Sequence, residues 1–239
     1  MTISKGKIFA DYHKAKKLLN KLDFKFSEDL QKAGSLLKSD LSQDFIRASY
    51  KDEYRSIYRI ARENSDYNIK LEFDGAIFQF GYEENDKEQI CDLRYAYFES
   101  PSYQISYEEF LLDNGFDVEE SGYELIEEYS QFLSEAEFKN NVTTFRYDYS
   151  ENQYQELVHP VSHLHIGHSN EVRIPLSFIM TPLSFVAFVI RHMYWHNWRI
   201  LMNDADIRRL YLDSHSSSKQ IIVSDFSNDE KKDIFLNVL

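Results

Sequence analysis

IKLEFDGAIFQF, residues 69–80, decides the fold class. It holds two alternating runs, Ile69 to Phe73 and Ala76 to Phe80, separated by Asp74-Gly75. Alternation at period two sends successive side chains to opposite faces of a strand. Asp-Gly readily supplies the positive-φ residues of a two-residue type I′ turn. The stretch therefore predicts a β-hairpin. Ile90 to Phe98 alternates again and extends the hairpin to an antiparallel meander. VTTFRYDYS, residues 142–150, is a further strand candidate. There Val142, Thr144, Arg146 and Asp148 share one face, and Thr143, Phe145, Tyr147 and Tyr149 the other.

Upstream of the hairpin the period changes. Residues 4–22 place Phe9, Tyr12, Leu18, Leu19 and Leu22 near helical spacing with lysines between, which predicts an amphipathic helix. Ser27 is a candidate cap for a second short helix reaching Leu37. FIRASY (45–50) reads as a strand, and Asp52 to Glu63 as a helix with Tyr54, Ile57, Tyr58 and Ala61 on one side. Downstream, Ser106 and Glu109 have capping-box spacing at the head of a helix ending near Gly115, and residues 121–138 read as another helix. HLHIG and EVRIPLSF read as short strands around a turn at His168-Ser169-Asn170. Thr181-Pro182 opens a helix expected to run to about Met202, apolar nearly all round and hence central and buried. A shorter helix to Leu212, a loop at 214–219, an IIVSDF strand and an amphipathic tail complete the reading. The fold class is α+β: an antiparallel sheet, a buried helix in the C-terminal half and additional N-terminal helices. Residues 1–239 read as a single domain, with a helical subdomain over 1–65 as the alternative division.

Composition narrows the function classes. Aromatic residues make up 15% of the chain, including 17 Tyr and 18 Phe, which suits half-buried sheet surfaces. The net charge of −13 disfavours a general basic surface for duplex nucleic acid. Cys91 is the single cysteine, which excludes an intramolecular disulfide and a cysteine zinc cluster. MTISKGKIFADYHK lacks the apolar stretch of a signal peptide, and no uninterrupted apolar run is long enough for a bilayer. The expectation is a cytoplasmic, bacterial-type protein. From Asp113 to Glu137 there are nine acidic residues and no basic one, either a solvated face or a contact surface for a basic partner.

The residues able to do chemistry concentrate between His159 and Met202. Six of the eight histidines lie there, with both tryptophans, three arginines and no lysine. His163 and His165 share a strand face; His192 and His196, one helical turn apart, share a helix face. Each pair suits a zinc or manganese ion, and the four together form a candidate metal set. Without a metal, Arg191 and His196 have the Arg-x-x-x-x-His spacing of HEPN ribonucleases, in which histidine moves protons and arginine stabilises the phosphorane. Asp148 and Arg146, sharing one strand face, offer an orienter for an imidazole and a phosphate ligand. No phosphate-binding glycine loop and no G-x-S-x-G elbow is present.

Several segments together resemble a known family. The YNIKLEFDGAIFQFGYE hairpin, RYAYFESP, FRYDYS, HPVSHLHIG, VRIPLSF and TPLSFVAFVIRHMY resemble, in that order over about residues 30–200, the uncharacterised bacterial domain-of-unknown-function family 2290. The resemblance implies shared positions at His159, Pro160, Ser162, His163, Gly167, Pro175, Thr181, Pro182, Arg191 and Tyr194, but not at His165 or His196. It implies no activity. FRYD followed by the histidines is also similar to small RYD, His-rich toxin-like ribonucleases. The leading expectation is a nuclease-like effector of a defence or toxin–antitoxin type system, acting on RNA by His/Arg acid–base chemistry without a cofactor. Asp148, His159, His163 and Arg191 are the expected catalytic residues; Arg146, Tyr194 and His196 the expected substrate-binding ones. The alternatives are a non-enzymatic partner subunit docking through 113–137 and a metalloenzyme with zinc or manganese on His163, His165, His192 and His196. Oligomeric state is not readable.

Overall fold

Seven strands pair in chain order, each antiparallel to the next: β1 (Phe26–Glu28), β2 (Ile69–Leu71), β3 (Ile77–Glu84), β4 (Ile90–Phe98), β5 (Thr144–Ser150), β6 (Ser162–Ile166) and β7 (Ile174–Pro175). This is the meander of an α+β fold. The computed structural model describes residues 3–29, 41–168, 172–217, 219–221, 227, 229 and 230. The helices are α1 (Lys5–Lys21), α2 (Gln43–Lys51), α3 (Tyr54–Glu63), α4 (Tyr107–Asp113), α5 (Val118–Ser121), α6 (Ile126–Glu135), α7 (Pro182–Met193), α8 (Trp195–Leu201) and α9 (Ala205–Ser217). β8 (Phe178–Ile179) and β9 (Lys219–Gln220) form a separate pair.

The two faces of the sheet differ. On one, Phe78, Phe80, Tyr95, Tyr97, Phe145, Tyr147 and Leu164 are buried beneath α1 and α7. Tyr12 of α1 meets Phe80 edge-on at 5.4 Å, Phe185 of α7 meets Tyr95 at 5.7 Å, and Phe188 meets Phe145 at 5.2 Å. Among the described residues, helices pack on the opposite face at one end only. There α2 and α3 close over Ile77 and Phe98 with Phe45, Tyr54, Ile57 and Tyr58. The rest of that face carries polar and charged side chains.

Several local expectations hold. Ser106 caps α4, its hydroxyl accepting from the Glu109 N–H at 3.1 Å. Thr181 caps α7 in a reciprocal box with Ser184, with Pro182 in the first turn. Others are corrected. FIRASY is helix, not strand: the Ser42 hydroxyl accepts from Phe45 N–H, and the Asp66 carboxylate anchors Ser42 through its N–H at 2.8 Å and its hydroxyl at 2.6 Å. Phe45 and Ala48, one turn apart, are the buried residues of that helix. Ser27 lies in β1, and residues 30–37 of the expected helix lie outside the described residues.

The 69–80 hairpin closes through a four-residue loop, not a two-residue turn. Leu71 N–H donates to Ala76 O, Gly75 N–H donates to Leu71 O, and Gly75 takes φ 74°. Phe73 does not continue the strand; it packs on Phe24 and Tyr194. The helix expected over 121–138 is shorter, because Gly122 at φ 51° separates α5 from α6. The helix expected to reach Met202 breaks at Tyr194 (φ −120°, ψ 46°), and α8 leaves Trp195 and Ile200 exposed. α9 extends past Leu212 to Ser217, over the start of the expected loop. The turn at 169–170, most of IIVSDF and the tail lie outside the described residues. No helix among the described residues is long and apolar enough to cross a membrane.

Candidate functional site

Strand register builds the site. Gly81, Arg94, Asp148 and His163 stand directly opposite one another across β3, β4, β5 and β6. Gln79, Ala96, Arg146 and His165 form the adjoining row. Residues two apart on a strand share a face, so both rows lie together on the side away from α1 and α7, with Gln79, His163 and His165 buried and Arg94 and Arg146 exposed. The small Gly81 and Ala96 keep the surface beside the charged groups low.

Asp148 is the hub. Its Oδ2 accepts from Arg146 Nε at 2.8 Å and lies 3.2 Å from His165 Nε2 and 3.8 Å from His163 Nε2. Its Oδ1 accepts from Arg94 Nε at 3.4 Å. Burial pushes this carboxyl up, but the His165 hydrogen bond and the charges of Arg146 and Arg94 outweigh it and hold Asp148 well below the usual carboxylate range. The His163 side chain is 1% exposed, and its Nδ1–H donates to the Pro160 carbonyl at 2.8 Å. That bond fixes the tautomer and leaves the Nε2 lone pair facing Asp148. Burial, chiefly, pushes the His163 imidazole down to about 4, with the neighbouring His165 adding to it against the Asp148 charge. His163 Nε2 and His159 Nδ1 are buried with no hydrogen-bond partner among the described residues. His159 meets the His163 ring edge-on at 4.8 Å. It is held by a tight loop in which His159 N–H and Gln155 O, and Gln155 N–H and His159 O, bond reciprocally around Leu157 at φ 60°. Its imidazole is lowered by burial first and by the Arg173 charge second.

His165 Nε2 carries a conflict. Arg146 Nη2 lies 2.9 Å away and Asp148 Oδ2 3.2 Å away. With a proton, this nitrogen serves the carboxylate but opposes the guanidinium; without one, the reverse holds. The cluster is thus not a fully satisfied structural network.

The sheet itself separates the expected residues into two groups. Asp148, His159, His163, His165 and Arg146 come together. Arg191, His192, Tyr194 and His196 belong to α7, its C-terminal cap and α8, and α7 packs on the opposite face. Arg191 donates to the Tyr211 hydroxyl at 2.8 Å, and His192 lies against Phe188 at 4.4 Å. The break at Tyr194 places His192 and His196 on different helices, so the four-histidine metal set does not assemble, and the Arg-x-x-x-x-His spacing straddles that break. Tyr194 is a strut: its hydroxyl donates to Asp74 Oδ2 at 2.6 Å and pairs with the Tyr97 hydroxyl at 3.0 Å.

A family model described as an uncharacterized conserved protein, DUF2290, matches residues 15–238. The chain belongs to this family. No curated protein and no solved structure matches it. The two rows of the site thus lie wholly within the DUF2290 match, on β3 to β6.

In this DUF2290 chain a cleft of about 130 Å³ opens beside Asp148, lined by Gln79, Gly81, Arg94, Ser150, Gln153 and Leu41 among others. Arg94 was not foreseen from sequence. Its signal was present, since in ICDLRYAYF it alternates with the buried Leu93 and Tyr95. Its pairing with Asp148 required a register set across the intervening residues 99–143.

Proposed function

We propose that the chain is a phosphodiester-cleaving enzyme that takes RNA at the exposed Arg94 and Arg146 on the sheet face opposite α1 and α7. One observation carries this reading: two guanidinium groups, Arg94 at 65% and Arg146 at 50% side-chain exposure, converge on a carboxylate that also meets two imidazoles. Phosphodiester cleavage needs fixed cationic donors for the phosphate oxygens, where charge develops in the transition state. It also needs a group that takes a proton from the nucleophile. Arg94 and Arg146 supply the first, and the Asp148–His163–His165 group the second. In the step, an oxygen nucleophile releases its proton to that group and bonds to phosphorus. The opposite P–O ester bond breaks, and the departing oxygen takes up a proton. The adjoining cleft receives the neighbouring nucleotide. The biological setting we assign is that of an effector in a bacterial defence or toxin–antitoxin type system.

The test is cleavage of end-labelled single-stranded RNA by the purified chain. Arg94→Ala and Arg146→Ala should each lower kcat/KM by about 10–150-fold, the loss of one hydrogen bond to a charged group. Full activity in both variants would remove the phosphate role assigned to them.

A second reading has its own observation. α4 to α6 present Phe116, Tyr123, Ile126 and Phe132 to solvent within the acidic 113–137 segment. That composition suits a basic partner with an apolar edge, as expected of an interaction module. Retention of a basic amphipathic peptide by the wild type, and its loss in a Glu127→Lys, Glu128→Lys variant, would favour this reading.

A further inference from the structure

We infer that Asp148, His163 and His165 form a binding site for one divalent first-row transition-metal ion, of the zinc or manganese kind. The inference deepens the reading above by naming the cofactor of the same site, but its binding test does not depend on the substrate. One ligand atom from each of Asp148, His163 and His165 lies within 4.8 Å of the other two, and Asp148 Oδ2 stands 3.8 Å from His163 Nε2 and 3.2 Å from His165 Nε2. Ligand atoms at zinc-bond lengths around a tetrahedral ion stand about 3.3–3.6 Å apart. The three atoms reach that spacing with small side-chain shifts.

Three further observations point to a ligand. First, His163 Nδ1–H is committed to the Pro160 carbonyl, the outer-shell hydrogen bond that orients metal-ligating imidazoles. Second, His163 Nε2 is aimed into the cluster, buried, and without a hydrogen-bond partner among the described residues. A buried acceptor left in that state costs about 1–3 kcal/mol. Third, the clash of roles at His165 Nε2 disappears when a cation sits between the three atoms, because each then offers only a lone pair. The donor set of two imidazoles and one carboxylate selects a transition ion over magnesium or calcium, which take oxygen ligands. Arg146 now fills that place, bonding both Asp148 and His165. Its side chain is half exposed, so an arriving ion displaces it toward solvent, where it meets the substrate phosphate. Such an ion would bring the pKa of a bound water to about 7 and so take over from the three side chains the activation of the oxygen nucleophile, the released proton passing to solvent.

The experiment is calorimetric titration of chelator-stripped, desalted full-length protein with Zn²⁺ and Mn²⁺, with Co²⁺ followed by visible absorption. One equivalent should bind per chain, Zn²⁺ more tightly than Mn²⁺. His163→Ala, His165→Ala and Asp148→Asn should each weaken binding by about 100-fold or more, since outer-shell changes alone cost about 10–100-fold. His192→Ala, across the sheet, should bind like the wild type. Arg146→Ala should bind more tightly, because it removes the competing cation. Circular dichroism checks that each variant is folded. Should the ligand variants misfold, the exposed Arg146→Ala variant still decides: unchanged or weaker binding there overturns the inference. So does equal binding by wild type and His163→Ala, the mark of an adventitious ion only. Tight ion binding without RNA cleavage keeps the metal site and removes the substrate assignment. RNA cleavage by protein that binds no ion in the titration does the reverse.

Discussion

A carboxylate taken out of water is costly unless positive charge or hydrogen bonds meet it, and Asp148 and Asp74 stand on opposite sides of that balance. Asp148 has two arginines and a histidine, which overcome its burial and hold it ionised. Asp74 is raised by burial first; the Tyr194 hydroxyl, the Ala76 N–H and Lys139 offset this only in part, and Glu99 adds to it. A pKa that is higher in the folded than in the unfolded chain means that folding favours the protonated form. The associated stability is complete below the unfolded value of about 4 and is lost as pH rises through the raised folded value. Asp74→Asn keeps an acceptor and a donor in place and still suits the turn, so it should abolish that loss. In thermal melts from acid to neutral pH, the variant should match the wild type at the acid end and exceed it increasingly above about pH 4. A constant offset across the range would show that ionisation of Asp74 is not what burial penalises.

At the scale of the element, alternation and capping were legible where they were locally determined. The strands β3, β4 and β5 and the caps at Ser106 and Thr181 follow from residues within a few positions of one another. What was misread depended on distant partners. FIRASY resembles a strand until Asp66 anchors the Ser42 cap. The long C-terminal helix looks continuous until Tyr194 is drawn to Asp74 and Tyr97. Asp74-Gly75 looked like a two-residue turn because nothing nearby shows that Phe73 packs against Phe24 and Tyr194. Gly75 is nonetheless required by its φ of 74°. Gly75→Ala should cost about 1–2 kcal/mol for a left-handed non-glycine residue. A Cβ there would also run into the Gln104 amide oxygen, the movable end of a side chain. The melting temperature should fall by about 2–4 °C per kcal/mol. No change would mean that the loop relaxes into another turn.

At the scale of the whole molecule, the deciding fact is which side of the sheet each residue occupies. Periodicity placed His163, His165, Arg146 and Asp148 on shared strand faces. It could not show that α7, with Arg191 and His192, packs on the other side. Nor could it bring Arg94 opposite Asp148 across residues 99–143. A chain with net charge −13 that meets phosphate only through Arg94 and Arg146, as proposed, should bind single-stranded RNA with weak salt dependence. With two phosphate contacts, log K should fall against log salt with a slope of about −1.4 in fluorescence anisotropy. A slope several times steeper would place the nucleic acid on an extended cationic surface elsewhere. The most direct measurement of the central claim compares the two sides of the sheet in one assay: cleavage of labelled single-stranded RNA by wild type, Arg94→Ala, His165→Ala and Arg191→Ala. The account predicts that the first two variants lose cleavage while Arg191→Ala keeps it with an unchanged KM. Loss of cleavage in Arg191→Ala, with Arg94→Ala and His165→Ala fully active, would contradict it and move the active site to the helical side.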